Sequence, residues 1–506
     1  MITVFSQKDA FALDELTITS KLLTEKELID NAGRSIAQFI VETIEDPFNQ
    51  KFIVLSGPGN NGGDAIISHY YLNLYGVQSE LLLLNEKQKQ SWIFKQYSID
   101  ADTLGIYSDE CRFNPEYWYV DGIFGIGLKR TVEGRYKDVI DKLSDCPNMI
   151  AIDIPSGIYC DTGTIAGTNL QAEYTLTMGH PKLAHFFNEG LEYSGDLHVL
   201  DIGFKQLSKT QDYIQLIEPE DAGNISPVHS ENSHKYSRGK LISIAGASGY
   251  TGACILAVQA AGKTGAGIIK AIIPESLNSI FETALIETIT IPIPDNNSGY
   301  FSLENTADIL EEVQWADAIL FGPGLAAGKK SAEWMADILK KIQQPLVLDA
   351  SGFLPLIEKK IQFGDLPPET ILTPHYAEFS RIFNMDVKKV WEDPISAVRE
   401  IISILGGRVL ILKGATNIIV TSQGELLLMN YGTPLLATAG TGDVLSGILA
   451  SAVVQGLSVD DAAIFGTFLH ADCANQYEEL TSTMGLTATD MLSMIPYALE
   501  SLIYVH

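Results

Sequence analysis

Short β-branched apolar runs recur along this chain, each closing on a glycine-containing turn and followed by a segment with apolar residues at helical spacing. That alternation confines the chain to βαβ units, because neighbouring parallel strands need a crossover long enough to hold a helix. In the first half the predicted strands are KFIVLSG (51–57), SELLLLN, YWYVDG, MIAIDIPSG, EYTLTMG and LHVLDIG. In the second half they are KLISIAG (240–246), GIIKAIIP, DAILFGPG, PLVLDASG, TILTPH and RVLILKGA. Between the sets lies LIEPEDAGNISPVHSENSHKYSRG, polar and without apolar period, which reads as a linker and the entry to a second domain. No fixed-period repeat is present, so solenoids and propellers are excluded. The expected fold class is α/β, with two three-layer αβα domains in tandem; 506 residues, 46% of them apolar, give each half enough for a full core.

Charge removes several function classes. Against 63 acidic side chains stand 34 basic ones, a net charge of −29. Nucleic-acid binding needs clustered Lys and Arg to neutralise phosphates, and anionic membranes make the same demand. The most apolar windows, ILAVQAAGKTGAG and VLSGILASAVVQG, are glycine-broken and shorter than the roughly 18 residues that suggest a membrane span. Cys111, Cys146, Cys160, Cys254 and Cys473 are scattered, with no metal-ligand spacing, and the N-terminus MITVFSQKDAFALDE carries acids where a signal peptide would be apolar. The expectation is a soluble cytoplasmic protein with no nucleic-acid or membrane partner.

Ligands on parallel sheets bind at the carboxyl ends of the strands. In the first half three such loops carry polar groups. GPGNNGGD (Gly57 to Asp64) leads into a helix expected to show Ile66, Ile67, Tyr70, Tyr71 and Leu74 on one face. Its glycines let backbone amides approach an anion, although a tight strand-to-helix turn would need glycines too. VDGIFGIGLKR offers Asp121, and IDIPSGIYCDTG offers Asp153 and Ser156. An oxygen-rich set of Asn61, Asp121 and Ser156 suits a hard cation. Asp153, leaving an apolar strand, is expected to have a raised pKa and to serve as a base; turn-capping is the alternative for these carboxylates.

These segments, GNNGGD, DGIFGIG and AIDIPSG with the upstream ELIDNAG (Glu27 to Gly33), resemble the NAD(P)H-hydrate epimerase domain from about residue 10 to about residue 210. The resemblance implies a Rossmann-like domain over 1–215 and a pocket for hydrated NADH or NADPH. Its contacts would be Asn60, Asn61, Gly62, Gly63 and Asp64, the loop Gly125, Ile126, Gly127, Leu128, Lys129, Arg130 and Thr131, and Asp153. Lys182, in MGHPKLA, matches a family lysine near that pocket, and Asn61, Asp121 and Ser156 would hold a potassium ion. Ala65 stands where the family usually has glycine.

In the second half the most specific segment is LATAGTGDVLSGILASAVVQG (Leu436 to Gly456). Small residues lead straight into a helix whose first turn carries Asp443, so free amides and a carboxylate meet. Asp443 can take a proton from a hydroxyl while the amides stabilise a phosphoryl group in transfer. A helix cap would explain Asp443 alone but not the GTG beside it. In LKGATNIIVTSQGELLLMN, read as strand, turn and hairpin, Lys413 and Thr416 can meet nucleotide phosphates. In TPHYAEF, Glu378 can hold magnesium through water, and His375 is either a ligand contact or a hydrogen-bonded structural residue.

From about residue 230 to the end, HKYSRGKLISIAGASGYTGACILA, KTGAGII, FGPGL, PHYAE, LKGAT, AGTGDVLSG and GLTATDML resemble in order the ribokinase-like ADP-dependent NAD(P)H-hydrate dehydratases. That implies a ribokinase-like domain over 225–506, with Ala253, Gly324, His375 and Asp443 on the hydrated nicotinamide nucleotide. Lys413, Gly414, Ala415, Thr416, Asn417 and Gly442 would bind ADP with magnesium, and Asp443 would be the base. Ser351, Ala326 and Ala377 depart from the usual residues. Together the halves imply a bifunctional repair enzyme: R and S epimers of hydrated NAD(P)H interconvert, and the S epimer is dehydrated at the expense of ADP, giving AMP and phosphate. A homo-oligomer is implied by the resemblance alone. The alternative is a small-molecule kinase, for a vitamin or sugar alcohol, fused to a nucleotide-binding module.

Overall fold

The computed structural model describes residues 1–90, 92–100, 104–207, 213–227, 232–325 and 330–503. Two compact units divide the chain: Thr3–Tyr213 form one, and Met1–Ile2 with Ile214–His506 the other. Ala326 lies outside the described residues.

Eighteen strands are described: β1 (Ile2–Val4), β2 (Lys51–Ser56), β3 (Gln78–Leu83), β4 (Gly105–Ile106), β5 (Trp118–Gly122), β6 (Met149–Ile152), β7 (Tyr174–Met178), β8 (Asp196–Leu200), β9 (Ile214–Leu216), β10 (Lys240–Ile244), β11 (Ile268–Pro274), β12 (Ile289–Ile293), β13 (Ala318–Phe321), β14 (Leu346–Leu348), β15 (Thr370–Leu372), β16 (Val409–Leu412), β17 (Asn417–Val420) and β18 (Leu426–Met429). Strands β2 to β8 form a parallel sheet in the order β4-β3-β2-β5-β6-β7-β8. Its order reverses between β2 and β5, so their carboxyl ends open the crevice where such sheets bind ligands. The central strands β2, β5 and β6 are buried on both faces: Phe52 and Val54 of β2 pack into one layer and Leu55 into the other. That is why these strands read as unbroken apolar runs rather than as an alternation.

The second unit is built on an eleven-stranded sheet in the order β1-β9-β18-β17-β16-β15-β14-β13-β10-β11-β12. From β12 to β16 it is parallel; β17 pairs antiparallel with both β16 and β18, which makes the expected hairpin. Leu241 packs on one face of β10 and Ile242 and Ile244 on the other. Its order reverses at β10, between β11 and β13.

Three expectations are corrected here. Residues 216–239 are not simply a linker. Leu216 ends β9, which pairs with β18, and a short helix (Pro219–Asn224) follows. Glu218 and Asp221 hold the N-terminal ammonium at 3.3 and 2.7 Å. A three-residue strand is too short to show a period; residues 228–231 of the segment lie outside the described residues. Strand β12, ITIPI, was not expected because Pro292 argues against a strand; an edge position tolerates it. In the Asn60–Tyr75 helix Ile66 and Ile67 are buried, but Leu74 is 61% exposed, and Leu72 takes the inward place in the last turns.

One glycine fixes how two helices cross in the second unit. A Cβ at Gly447, in the helix Thr441–Val454, would lie 2.0 Å from the Ala257 carbonyl oxygen of the helix Thr251–Thr264. Overpacking of this kind costs about 1–3 kcal/mol, occasionally more. Gly447→Val is therefore expected to lower the melting transition of the C-terminal unit by several degrees and to leave that of the N-terminal unit in place, as calorimetry would show.

Candidate active sites

At the β2–β5 switch point the chain lines a cavity of about 700 Å³. Its wall includes Asn60, Asn61 and Asp64 from the start of the Asn60–Tyr75 helix, and Gly125 to Arg130 from the loop after β5. Asp153 follows β6 and Lys182 follows β7. Gly62 and Gly63 are buried behind this wall rather than lining it, and a Cβ at Gly62 would fall 1.9 Å from the Gly57 carbonyl oxygen. The close turn that admits the helix start thus requires glycine there. Thr131 is not in the wall; its methyl faces Gly167. Ala65 meets Gly122, where a Cβ would stand 2.5 Å from its own, so the missing glycine at 65 is matched by one across the contact.

The centre of this site is an ion pair. Lys182 Nζ lies 2.6 Å from Asp153 Oδ1, with both side chains buried. Lys182 also donates to Thr177 Oγ1 at 2.8 Å and to the Met178 carbonyl oxygen at 3.0 Å, and the Thr177 hydroxyl donates to Asp153 Oδ1 at 3.0 Å. The expected rise in the Asp153 pKa is corrected. Burial does push it up, but the Lys182 charge and hydrogen bond outweigh that and hold the carboxyl below the usual range. Asp153 has φ +69°, a left-handed conformation that non-glycine residues adopt at a cost. It is held there by its amide donating to Leu176 O and by its carbonyl, 2.9 Å from His185 Nε2. The Lys182 amide donates to His185 Nδ1, so Nε2 carries the proton, and burial drives the His185 pKa down to about 4.

Beside the cavity Asp121, fully buried, accepts three hydrogen bonds: from Ile123 N, Ser156 N and the Ser156 hydroxyl, at 3.1, 2.8 and 2.6 Å. Its pKa is raised to about 6 by burial, against the pull of those bonds. Ser156 Oγ also accepts from Phe124 N at 2.8 Å. Asn61 Nδ2 is buried without a partner, and its side chain packs against Gly125. The donors of Asn61, Asp121 and Ser156 are oxygens, Asp121 is paired with no basic side chain, and no group of three or more His, Cys, Asp or Glu gathers among the described residues. Such a set fits an alkali cation and not a transition metal.

The sequence did not single out Asp14, on the helix Gln7–Thr19, or Thr177 and His185. Asp14 lines the cavity with Asp64, Asp153 and Lys182. It arrives from outside the sheet, so no strand-end rule could find it.

In the second unit Gly440, with φ +92°, caps the helix Thr441–Val454, and Asp443 lies in its first turn, half-buried. A Cβ at Gly442 would stand 3.4 Å from Lys413 Nζ, which places that ammonium beside the helix start. Lys413 donates to Asp349 Oδ1 at 3.0 Å, and the Thr373 hydroxyl donates to the same oxygen at 2.7 Å. Asp349 follows β14 directly and is not among the sequence-derived site residues, although its place at a strand's carboxyl end is the signal that marks one. Burial, then the Asp349 charge, push the Asp443 pKa up to about 7, with Lys413 pulling the other way. Burial, with the Asp443 charge adding to it, raises the pKa of the Cys254 thiol, next to Ala253 in the helix Thr251–Thr264. Gly324 (φ +64°) comes up against that helix, since a Cβ there would lie 3.0 Å from Ala253 Cβ. Ala253, Gly324 and Asp443 are thus brought together.

Around Lys413 the remaining expectations divide. Asn417 Oδ1 accepts from Gly414 N at 3.2 Å and closes the turn, and Ala415 is exposed at its tip. Thr416 is corrected: its side chain is buried and its hydroxyl donates to Asn430 Oδ1 at 3.0 Å, tying the hairpin instead of reaching outward. His375 pairs with Lys413 through a backbone bridge and caps the helix Tyr376–Phe383, its Nδ1 accepting from Ala377 N and Glu378 N. In return Glu378 Oε2 accepts from His375 N at 3.0 Å; burial pulls the Lys413 pKa down, but the charges of Asp349 and then Glu378 outweigh it and raise it. A carboxylate in the first turn of a helix whose cap bridges to Lys413 fits a water-mediated magnesium contact.

Residues 241–497 match the family described as NAD(P)H-hydrate dehydratase, and residues 25–184 match the YjeF-related protein N-terminus. The chain is 32% identical over 497 residues to the bifunctional NAD(P)H-hydrate repair enzyme Nnr of Dictyoglomus turgidum, covering 94% of each chain. Its identity to the protein of the same description from Thermofilum pendens is 30% over 491 residues, covering 94% of this chain and 92% of that one. Among solved structures, a ribokinase-like superfamily protein from Enterococcus faecalis superposes with a TM-score of 0.50 at 22% identity, over 59% of this chain and 99% of that one. No helix among the described residues is long and apolar enough to cross a membrane.

Proposed function

The chain belongs to the bifunctional NAD(P)H-hydrate repair enzymes, and on that premise we infer that its two sheets divide the work, with epimerisation in residues 1–215 and dehydration in 225–506. The observation that carries the reading is Asp443, half-buried in the first turn of a glycine-led helix with Lys413 Nζ beside it. A carboxylate with a pKa near 7 can take the proton of a ring hydroxyl, and the helix amides and Lys413 can meet the phosphoryl oxygens. The hydroxyl oxygen attacks the terminal phosphorus of ADP and the bond to AMP breaks. Phosphate is a far better leaving group than hydroxide, so the ring nitrogen's electron pair expels it to leave a carbon–nitrogen double bond, and loss of a proton from the neighbouring ring carbon to solvent returns the pair to nitrogen and restores the dihydronicotinamide ring.

In this reading Ala253, Gly324 and His375 border the nicotinamide nucleotide, Lys413, Gly414, Ala415, Asn417 and Gly442 border ADP, and Glu378 would hold magnesium through water, which would screen the phosphate charges. In the N-terminal unit the hydrated cofactor occupies the cavity of Asn60, Asn61, Asp64, Gly125 to Arg130 and Asp153. The Asp153 carboxylate, kept ionised by Lys182, is the base. Potassium would be held by Asn61, Asp121 and Ser156 and would supply positive charge beneath the loops that carry Asn61 and Gly125. A homo-oligomer in the cytoplasm belongs to the same reading.

The test is to give the whole protein the separated S epimer of hydrated NADH with ADP or with ATP and to analyse the products. Dihydronicotinamide with AMP and phosphate is the expected result with ADP. A stable phosphate ester of the substrate would establish the kinase alternative instead.

A further inference from the structure

The helix Gln7–Thr19 precedes the residues matched by either family, yet it forms part of the N-terminal cavity. Ala10, Leu13 and Thr17 are its buried face, while Phe11, Asp14 and Ile18, at spacings of three and four, reach the cavity wall. The helix is fixed to the N-terminal unit at both ends. Phe5, just ahead of it, pairs with the segment of Lys182, donating to Pro181 O and accepting from Leu183 N at 2.9 and 3.0 Å. The Gln7 amide donates to Asp161 Oδ1 at 2.6 Å, and the Thr17 hydroxyl oxygen accepts from Lys205 N at 3.1 Å.

Asp14 is therefore held in place, and among the described residues its carboxyl makes no hydrogen bond or ion pair. Lys182 has no proton left for it, since its three donors go to Asp153, Thr177 and Met178 O. Asp64, which lines the same cavity, is likewise unpaired among the described residues. Three carboxyls thus share one buried cation, and in a partly apolar cavity such groups retain protons. Burial, followed by the Asp153 charge, pushes the Asp14 pKa up to about 6, against Lys182; burial, Asp153 and Asp14 push Asp64 well above the usual range. The charged groups around Asp14 are Asp64, Asp153 and Lys182, with Glu25 from the next helix and Lys129 and Arg130 from the loop after β5.

We propose that Asp14 is the acid of the epimerisation pocket, working opposite Asp153; this rests on the epimerase reading above. The Asp14 carboxylic acid gives its proton to the ring hydroxyl, the carbon–oxygen bond breaks and water leaves, and the ring nitrogen's electron pair forms a carbon–nitrogen double bond. Water then adds to the other face, the pair returns to nitrogen, and the Asp153 carboxylate takes the proton of the incoming water. In the reverse direction the two carboxyls exchange roles, and solvent restores either form between turnovers.

The experiment uses the full chain without nucleotide, so that dehydration is silent, and follows exchange between chromatographically separated epimers. Asp14→Asn is expected to lower kcat about 10²-fold with KM changed by less than a few-fold, and Asp14→Glu to recover most of the rate. In the wild-type chain the rate in the direction that uses protonated Asp14 is expected to fall as pH rises through about 6, and Asp14→Asn should abolish that limb. Dehydration of the S epimer with ADP at the wild-type rate serves as the folding control. An Asp14→Asn chain with wild-type kcat and the same pH limb overturns the proposal. So does a defect that follows a fall in Tm and is not relieved by Asp14→Glu. A wild-type chain that leaves the separated epimers unchanged defeats the epimerase reading itself.

Discussion

Replacing Asp443 by asparagine is expected to lower the dehydration rate by about 10²-fold or more, while exchange between epimers continues at the wild-type rate. The amide keeps the shape of the side chain but cannot accept the hydroxyl proton. In the intact enzyme dehydration should rise with pH through about 7, because Asp443 must be ionised to act and burial with Asp349 raises its pKa to that value. Lys413 opposes the rise, so Lys413→Met should carry the limb to higher pH as well as weakening nucleotide binding. Stability provides an independent check. A carboxyl whose folded pKa lies near 7 disfavours folding increasingly as pH climbs from near 4 to about 7, and fully above that. Asp443→Asn should therefore match the wild type in Tm at pH 4 and exceed it at pH 8. Return of dihydronicotinamide absorbance at the normal rate by this variant would remove Asp443 as the base.

The second large effect is expected at the Asp153–Lys182 pair. Lys182→Met leaves a buried carboxylate with no cation, a change that typically costs about 3–5 kcal/mol. It should lower the melting transition of the N-terminal unit and abolish measurable epimer exchange, so that one epimer of a mixture persists. Asp153→Asn combined with Lys182→Met removes both charges, and stability should return in large part because no unpaired charge remains. Activity should not return, since the base is gone. Parallel recovery of stability and exchange in the double variant would mean that the pair only holds the fold.

The sequence revealed the α/β architecture because buried parallel strands leave long apolar runs: β2, β5, β6, β10, β13 and β16 all fall inside predicted runs. Strands β1, β4 and β9 have two or three residues and cannot show a period, and Pro292 concealed β12. The glycine-led loops at Gly57–Asp64 and Gly440–Asp443 were legible because backbone close approach demands those residue types. Side-chain partnership was not. Asp153 was expected to be a base of raised pKa; the resemblance puts Lys182 near the same pocket, but nothing in the sequence shows that these two side chains form an ion pair. Thr416 was expected to meet nucleotide phosphates, but the hairpin turns its hydroxyl toward Asn430. Asp14 belongs to a helix that reaches the cavity only through the tertiary fold.

The most direct measurement follows a mixture of the R and S epimers of hydrated NADH, with ADP in excess, in a single reaction with the intact chain. Two cooperating sites require the dihydronicotinamide absorbance to return completely, with one AMP and one phosphate formed for each ring restored. A halt with the R epimer untouched, or ADP consumed with no absorbance regained, would contradict the account.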